Sequence, residues 1–253
     1  NDGFYTVADF ESFDSKSRTW KLKEGVVDSS PLSDTPRPGN AKFKKLTPVD
    51  PNSTNPYQLT EADRTVIGNT TPKFSGGFGL NATYKGFDMS MFFNFMYDFD
   101  VLNANKIMLT TWADNKENNF LMDIASDKRW RNFDDMGNEI RYSPEILAEF
   151  NKNATMWNPT SIGRPICMSY AVEDGSFLRL NSATLGYTLP SVWTKKVGLS
   201  KVRFYVSGNN LFTLTGYSGY DPEVNIATGL TPNIDYDRYP RSRTYTFGAQ
   251  LTF

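Results

Sequence analysis

Between Phe74 and Tyr97 the chain alternates apolar and polar residues with a period of two, which leaves few folds open to it. Phe74, Gly76, Phe78, Leu80, Ala82 and Tyr84 share one parity; Ser75, Gly77, Gly79, Asn81 and Thr83 share the other. This is the pattern of a strand with one apolar face. Lys85-Gly86 follows, a two-residue hairpin turn in which Gly supplies positive φ. The return strand carries Phe87, Met89, Met91, Phe93, Phe95 and Tyr97 on one face. Its other face carries Asp88, Ser90, Phe92, Asn94, Met96 and Asp98.

Further strands follow. One runs over residues 176–187, where Leu178 and Leu180 differ in parity from Ala183, Leu185 and Tyr187; a bulge near Asn181 reconciles them. Another spans 202–212. The last sets Arg243, Tyr245, Phe247, Ala249, Leu251 and Phe253 against Thr244, Thr246, Gly248, Gln250 and Thr252. Residues 143–151 open on Ser143-Pro144-Glu145 and predict a short helix. Residues 190–197 predict a helical turn, and 20–27 contain an extended piece that pairs locally.

The connections alternate in length. Lys85-Gly86 and 188–200 are short; 1–73, 99–170 and 214–242 are long and polar. Short turns on one side and long loops on the other are the habit of outer-membrane barrels, as are aromatic residues at both ends of an apolar stripe. The expected fold is all-β, with antiparallel strands forming part of a large transmembrane β-barrel. We therefore expect an extracellular loop region over 1–73 and barrel strands over 74–253, interrupted by extracellular loops 99–170 and 214–242.

Composition narrows the chemistry. Aromatics make up 15% of the chain, with 19 Phe and 13 Tyr, yet the mean hydropathy is −0.49. Aromatic strands joined by polar loops produce that combination. No run of about eighteen apolar residues predicts a transmembrane helix. The chain has no His, so Ser-His-Asp triads, Cys-His pairs and His-based zinc sites lack their parts. Cys167 is the single cysteine and forms no internal disulfide. Lys and Arg number 27 against 28 Asp and Glu, without a basic block, which argues against a nucleic-acid partner. The first residues, Asn1-Asp2-Gly3-Phe4-Tyr5, lack the features of a signal peptide, so either one was removed or the chain is a later piece of a longer precursor.

Several longer stretches resemble one family. Val172-Glu173-Asp174-Gly175-Ser176-Phe177-Leu178-Arg179-Leu180, running on to Leu185-Gly186-Tyr187-Thr188-Leu189-Pro190, resembles a hallmark of SusC/RagA-type TonB-linked outer-membrane transporters. So do 202–212, Tyr217-Ser218-Gly219-Tyr220-Asp221-Pro222-Glu223-Val224 and Tyr239-Pro240-Arg241-Ser242-Arg243. Residues 67–74 and 84–87 are further matches. The resemblance implies the C-terminal part of such a transporter, with the plug, the TonB box and the earlier strands elsewhere. It further implies energised import of a glycan or peptide, a SusD-like surface lipoprotein as lid, TonB acting through the missing N-terminal part, and an outer-membrane location. A secreted all-β carbohydrate-binding module is the alternative.

Candidate residues are read against that background. Phe253 resembles the C-terminal aromatic that barrel-assembly machinery recognises, and an ordinary lipid-facing strand end fits it equally. Trp112, Trp130 and Trp157 are candidate vestibule or lid contacts, or they pack the long loop against itself. Tyr220, Asp221 and Glu223 belong to the same candidate set, against the reading of an Asp-Pro turn with solvated acids. Residues 50–63 have a degraded acidic pattern that matches a calcium loop poorly, and no metal ligand is assigned. No cofactor and no catalytic residue is expected, since adjacent acids such as Glu173 and Asp174 do not make a glycosidase pair.

Overall fold

The computed structural model describes residues 2–32, 34–111, 120–124, 127–162, 166–224, 232–236 and 239–253. The chain forms two compact units, each assembled from separate stretches. One joins Asn1–Ile67 with Ala104–Ala171; the other joins Gly68–Asn103 with Val172–Phe253.

The first unit has little regular structure. Strands β1 (Phe10–Asp14) and β2 (Thr19–Leu22) form an antiparallel pair. Helix α1 (Ala104–Met108) and helix α2 (Pro144–Phe150), the latter with Pro at its start as its sequence predicts, are short. Burial of apolar side chains from both stretches holds the unit together. Ala41, Phe43 and Leu59 pack with Ile124, Met156, Trp157, Ile162 and Met168. A second cluster joins Trp130, Ile140 and Leu147, with Phe4, Val7 and Trp20 against it. Tyr5 is fully buried, and its hydroxyl donates to the Val27 carbonyl at 2.6 Å. The Asp63 carboxylate accepts from the Leu46, Thr47 and Thr60 amides at 2.7–2.9 Å, with Lys45 Nζ 3.4 Å away. Burial alone would raise its pKa. The amides of Thr47, Thr60 and Leu46 and the Thr47 hydroxyl outweigh that and hold it well below the ordinary carboxylate range.

The second unit contains the long strands. β3 (Phe74–Tyr84) and β4 (Phe87–Tyr97) pair in register around Lys85-Gly86, where φ is 46° and 90°, the left-handed turn that Gly favours. Then come β5 (Asp100–Asn103), β6 (Val172–Asp174) and β7 (Phe177–Thr188). Helix α3 (Ser191–Thr194), β8 (Lys201–Thr215), β9 (Ile234–Asp235) and β10 (Thr244–Thr252) complete the chain. Five strands form an antiparallel sheet in the order β10-β8-β7-β4-β3. The sheet is open, with β3 and β10 as its edges among the described residues. A smaller sheet sets β5 antiparallel to β6 and parallel to β9.

Register explains why this sheet has one apolar face. Phe78 opposes Phe93, which opposes Leu180; Leu185 opposes Met89 and Val206, which opposes Phe247. At the expected bulge, Leu180 pairs with Phe93 and Phe212, Ser182 pairs with Phe92 and Asn209, and Asn181 falls outside both ladders. The extra residue returns Leu178 and Leu180 to the face of Ala183, Leu185 and Tyr187. Without it, half of β7 would turn its leucines onto the polar side. The face is open: Leu185 is 47% exposed and Phe247 79%.

Candidate functional site

The opposite face of the five-stranded sheet mixes polar residues with a few aromatics such as Phe92 and Phe177, and two ion-pair constructions organise it. Near the Lys85-Gly86 turn, Asp88 on β4 and Arg203 on β8 meet across the intervening strand β7. Arg203 Nε donates to Asp88 Oδ1 at 2.9 Å, and Nη2 donates to the second carboxylate oxygen. The residue beneath them is Gly186, which opposes both Asp88 and Tyr205. A Cβ there would lie 2.6 Å from Asp88 Oδ1 and from Arg203 Nε, so any side chain would displace the pair. The bidentate geometry ties three strands into one register.

At the other end of β7, three stretches that are far apart in sequence converge. Arg179 is only 2% exposed, although it sits between Leu178 and Leu180. Its guanidinium donates through Nη2 to Asp221 Oδ1 and lies 3.8 Å from Glu223 Oε2. Arg241 closes the cluster from the segment before β10, with Nη2 3.0 Å from Glu223 Oε1 and Nε 3.8 Å from Asp221 Oδ2. Asp221 also accepts the Glu223 amide at 2.9 Å, the bond of an Asp-Pro turn. Two guanidinium groups therefore balance two carboxylates, with Arg179 and Asp221 buried and Arg241 and Glu223 reaching towards solvent, the arrangement under which buried charge is tolerated.

The described parts of the loop carrying these acids are fastened at several points. The Tyr217 hydroxyl donates to Asp235 Oδ2 at 2.7 Å, and burial together with that carboxylate raises the tyrosine's pKa. Ser218 donates through its amide and hydroxyl to the two oxygens of Glu173, at 2.9 and 2.8 Å. Val224 is buried with Phe99, Val101, Phe177 and Tyr217. Between these anchors Tyr220 is 80% exposed. Over 217–224 the anchored backbone thus presents the Tyr220 ring to solvent, and further along Tyr236 and Tyr239 are exposed as well.

The other candidate residues are placed as follows. Trp130 and Trp157 are each 3% exposed and lie inside the two cores of the first unit, Trp157 with its ring 4.8 Å from that of Tyr170. Their rings serve packing. Trp112 lies outside the described residues. Phe253 is exposed beyond β10. Asp221 and Glu223 are committed to Arg179 and Arg241. Sequence reasoning overlooked Arg179, although a lone arginine within an apolar strand segment demands an acid partner and was itself the signal. Chemically, the cluster fixes a loop; its carboxylates face guanidinium groups instead of a reacting centre. Among the described residues no three His, Cys, Asp or Glu side chains are grouped to hold a metal.

Comparison with known proteins follows the same lines. No family model matches the chain. A TonB-dependent receptor P3 of Formosa agariphila is 35% identical over 202 residues, covering 78% of this chain and 18% of the receptor. The TonB-dependent receptor SusC of Bacteroides thetaiotaomicron is 36% identical over 88 residues, 33% of this chain and 8% of SusC. Among solved structures, the RagAB peptide importer in its open-open state superposes with a TM-score of 0.55 at 24% identity, over 80% of this chain and 20% of that one. The chain thus spans about a fifth of the length of the first of these relatives, and the likeness to the importer is one of fold: antiparallel strands of a large barrel.

Proposed function

The chain belongs to the SusC/RagA family of TonB-linked outer-membrane transporters, of which it is a portion, and from that premise we propose that it supplies wall and outer vestibule to an importer of glycans or peptides in the bacterial outer membrane. Import would be energised by TonB through the plug-bearing remainder of the transporter, and a SusD-like lipoprotein would close the vestibule as a lid. No chemical step is assigned to this chain.

One observation carries the reading. Five antiparallel strands share an apolar face, and most of its large side chains, Phe74, Phe78, Leu185 and Phe247 among them, are exposed. Contiguous exposed apolar surface of this extent marks a contact with lipid or protein. β3 and β4 have 11 residues each, the length that spans the hydrocarbon layer at the usual barrel tilt. A secreted carbohydrate-binding module would bury this face beneath a second sheet, so Phe247 and Leu185 would lose their exposure. Lipid accounts for the exposure directly. Tyr220 is then the favoured contact for lid or solute, and Phe253 is proposed as the aromatic mark read during barrel assembly.

Single cysteines test the topology, with Cys167, which is exposed, first changed to Ser. Met136→Cys and Tyr220→Cys are expected to react with an impermeant reagent on intact cells. Val192→Cys, in the short 188–200 turn, should react only once the outer membrane is opened. All three native side chains are well exposed, so burial does not decide the result. The inverse labelling pattern would end this reading.

A further inference from the structure

The first unit holds a cavity of about 280 Å³, lined by Arg18, Arg37 and Arg141 and by one described acid, Asp34. The volume is near the lower end for ligand pockets and suits a single sugar ring or amino-acid residue. Three guanidinium groups around one small space repel one another unless an anion joins them. Two are partly occupied: Arg18 lies over the Tyr142 ring at 4.7 Å, and Arg141 Nε is 2.5 Å from Glu139 Oε1. Arg37 is exposed and has no ion partner among the described residues.

A second, independent observation comes from Ser161, which lines the same cavity. It is 6% exposed, and its Oγ has no hydrogen-bond partner among the described residues. A buried hydroxyl left unpaired is costly and rare. An incoming oxygen acceptor would satisfy it, while the guanidinium groups matched the charge of that acceptor in their preferred bidentate geometry.

We propose that this cavity binds the carboxylate group of a solute, carried either on an acidic sugar or on an acidic peptide. Access from the cell exterior rests on the transporter reading above; binding by the purified protein does not. Arg37 supplies the free charge, Arg18 and Arg141 frame the oxyanion, and Ser161 donates to it. The aromatic ring of Tyr142 forms one wall beside the charged group.

The test is calorimetric titration of the purified transporter containing this chain with trigalacturonate and with triglutamate, using galactotriose and triglycine as neutral counterparts. At least one acidic probe should bind about tenfold or more tightly than its neutral counterpart, as one charge-assisted hydrogen bond implies. Which acidic probe binds identifies the carrier; equal binding of both means that the site reads the carboxylate alone. Arg37→Ala should weaken binding about tenfold, and Ser161→Ala by less. Arg37 is exposed and has no ion partner among the described residues, so its removal is expected to leave the fold intact. Absence of binding by both acidic probes, or affinity unchanged in both Arg37→Ala and Arg141→Lys, would overturn the proposal. Either result leaves the labelling experiment untouched, so the two readings fail separately.

Discussion

Replacing Phe93 by Arg is expected to block assembly of the transporter. Phe93 sits at the middle of β4, stacked on Phe78 at 4.9 Å between ring centroids and edge-on to Phe212 at 6.5 Å. A mid-bilayer Arg on the lipid face of a barrel costs about 2–4 kcal/mol, and the lost aromatic contacts add about 0.5–1.5 kcal/mol for each pair. Burial and lipid exposure are confounded at this position. Neighbouring residues on β10 separate them, because Thr246 and Phe247 are both exposed and point to opposite faces. Phe247→Arg should reduce the folded, heat-modifiable form on gels, while Thr246→Arg should assemble as the parent does. If Thr246→Arg failed and Phe247→Arg assembled, the faces would be reversed. If both assembled normally, the sheet would not meet lipid at all.

Asp221→Ala should be about as damaging by a different route. Removing the carboxylate leaves the Arg179 guanidinium buried beside Glu223 at 3.8 Å alone. Breaking a buried pair in this way typically costs about 3–5 kcal/mol. Asp221→Asn should cost less, since it keeps an acceptor for the Glu223 amide and loses only the charge. The expected readout is a lower melting temperature of the purified transporter, together with new protease cleavage in the loop that Asp221 fastens. Glu223→Gln combined with Asp221→Asn should show strong non-additivity, because both acids share the two arginines. An unchanged melting temperature in Asp221→Ala would mean that the cluster does not hold the loop.

Both predictions trace back to different parts of the sequence's legibility. The faces of β3, β4 and β10 were readable because period two is a local signal, and the hairpin because Lys85-Gly86 has a dedicated turn chemistry. Asn181 was readable as a bulge from a parity conflict within one strand. The Arg179 cluster was half readable. The arginine stood out of place, but its partners lie 42 and 44 positions further on, in a loop with no periodicity. The β5-β6-β9 sheet was invisible, since strands of two to four residues carry no period, and β9 joins β5 from more than a hundred residues away. The same distance hid the fate of Trp130 and Trp157. Their environment is supplied by residues of the opening segment, and nothing local distinguishes a tryptophan that packs from one that greets a ligand.

The first unit also sets a schedule for the protein's birth. Its cores join residues on either side of β3 and β4, so Phe43 and Leu59 have no complete surroundings until Trp157, Ile162 and Met168 have been made. Contacts so distant along the chain are slow to form. Residues 41–59 therefore stay an unfinished half, with apolar side chains lacking their partners, until Ile124, Met156, Trp157, Ile162 and Met168 are there to cover them. Because they share these cores, the two stretches are expected to open together. A single protease nick within 127–162 is expected to speed amide exchange at Tyr5 and Phe43 as much as at residues beside the cut. Exchange confined to the neighbourhood of the nick would show that the opening segment is a finished piece of architecture by itself.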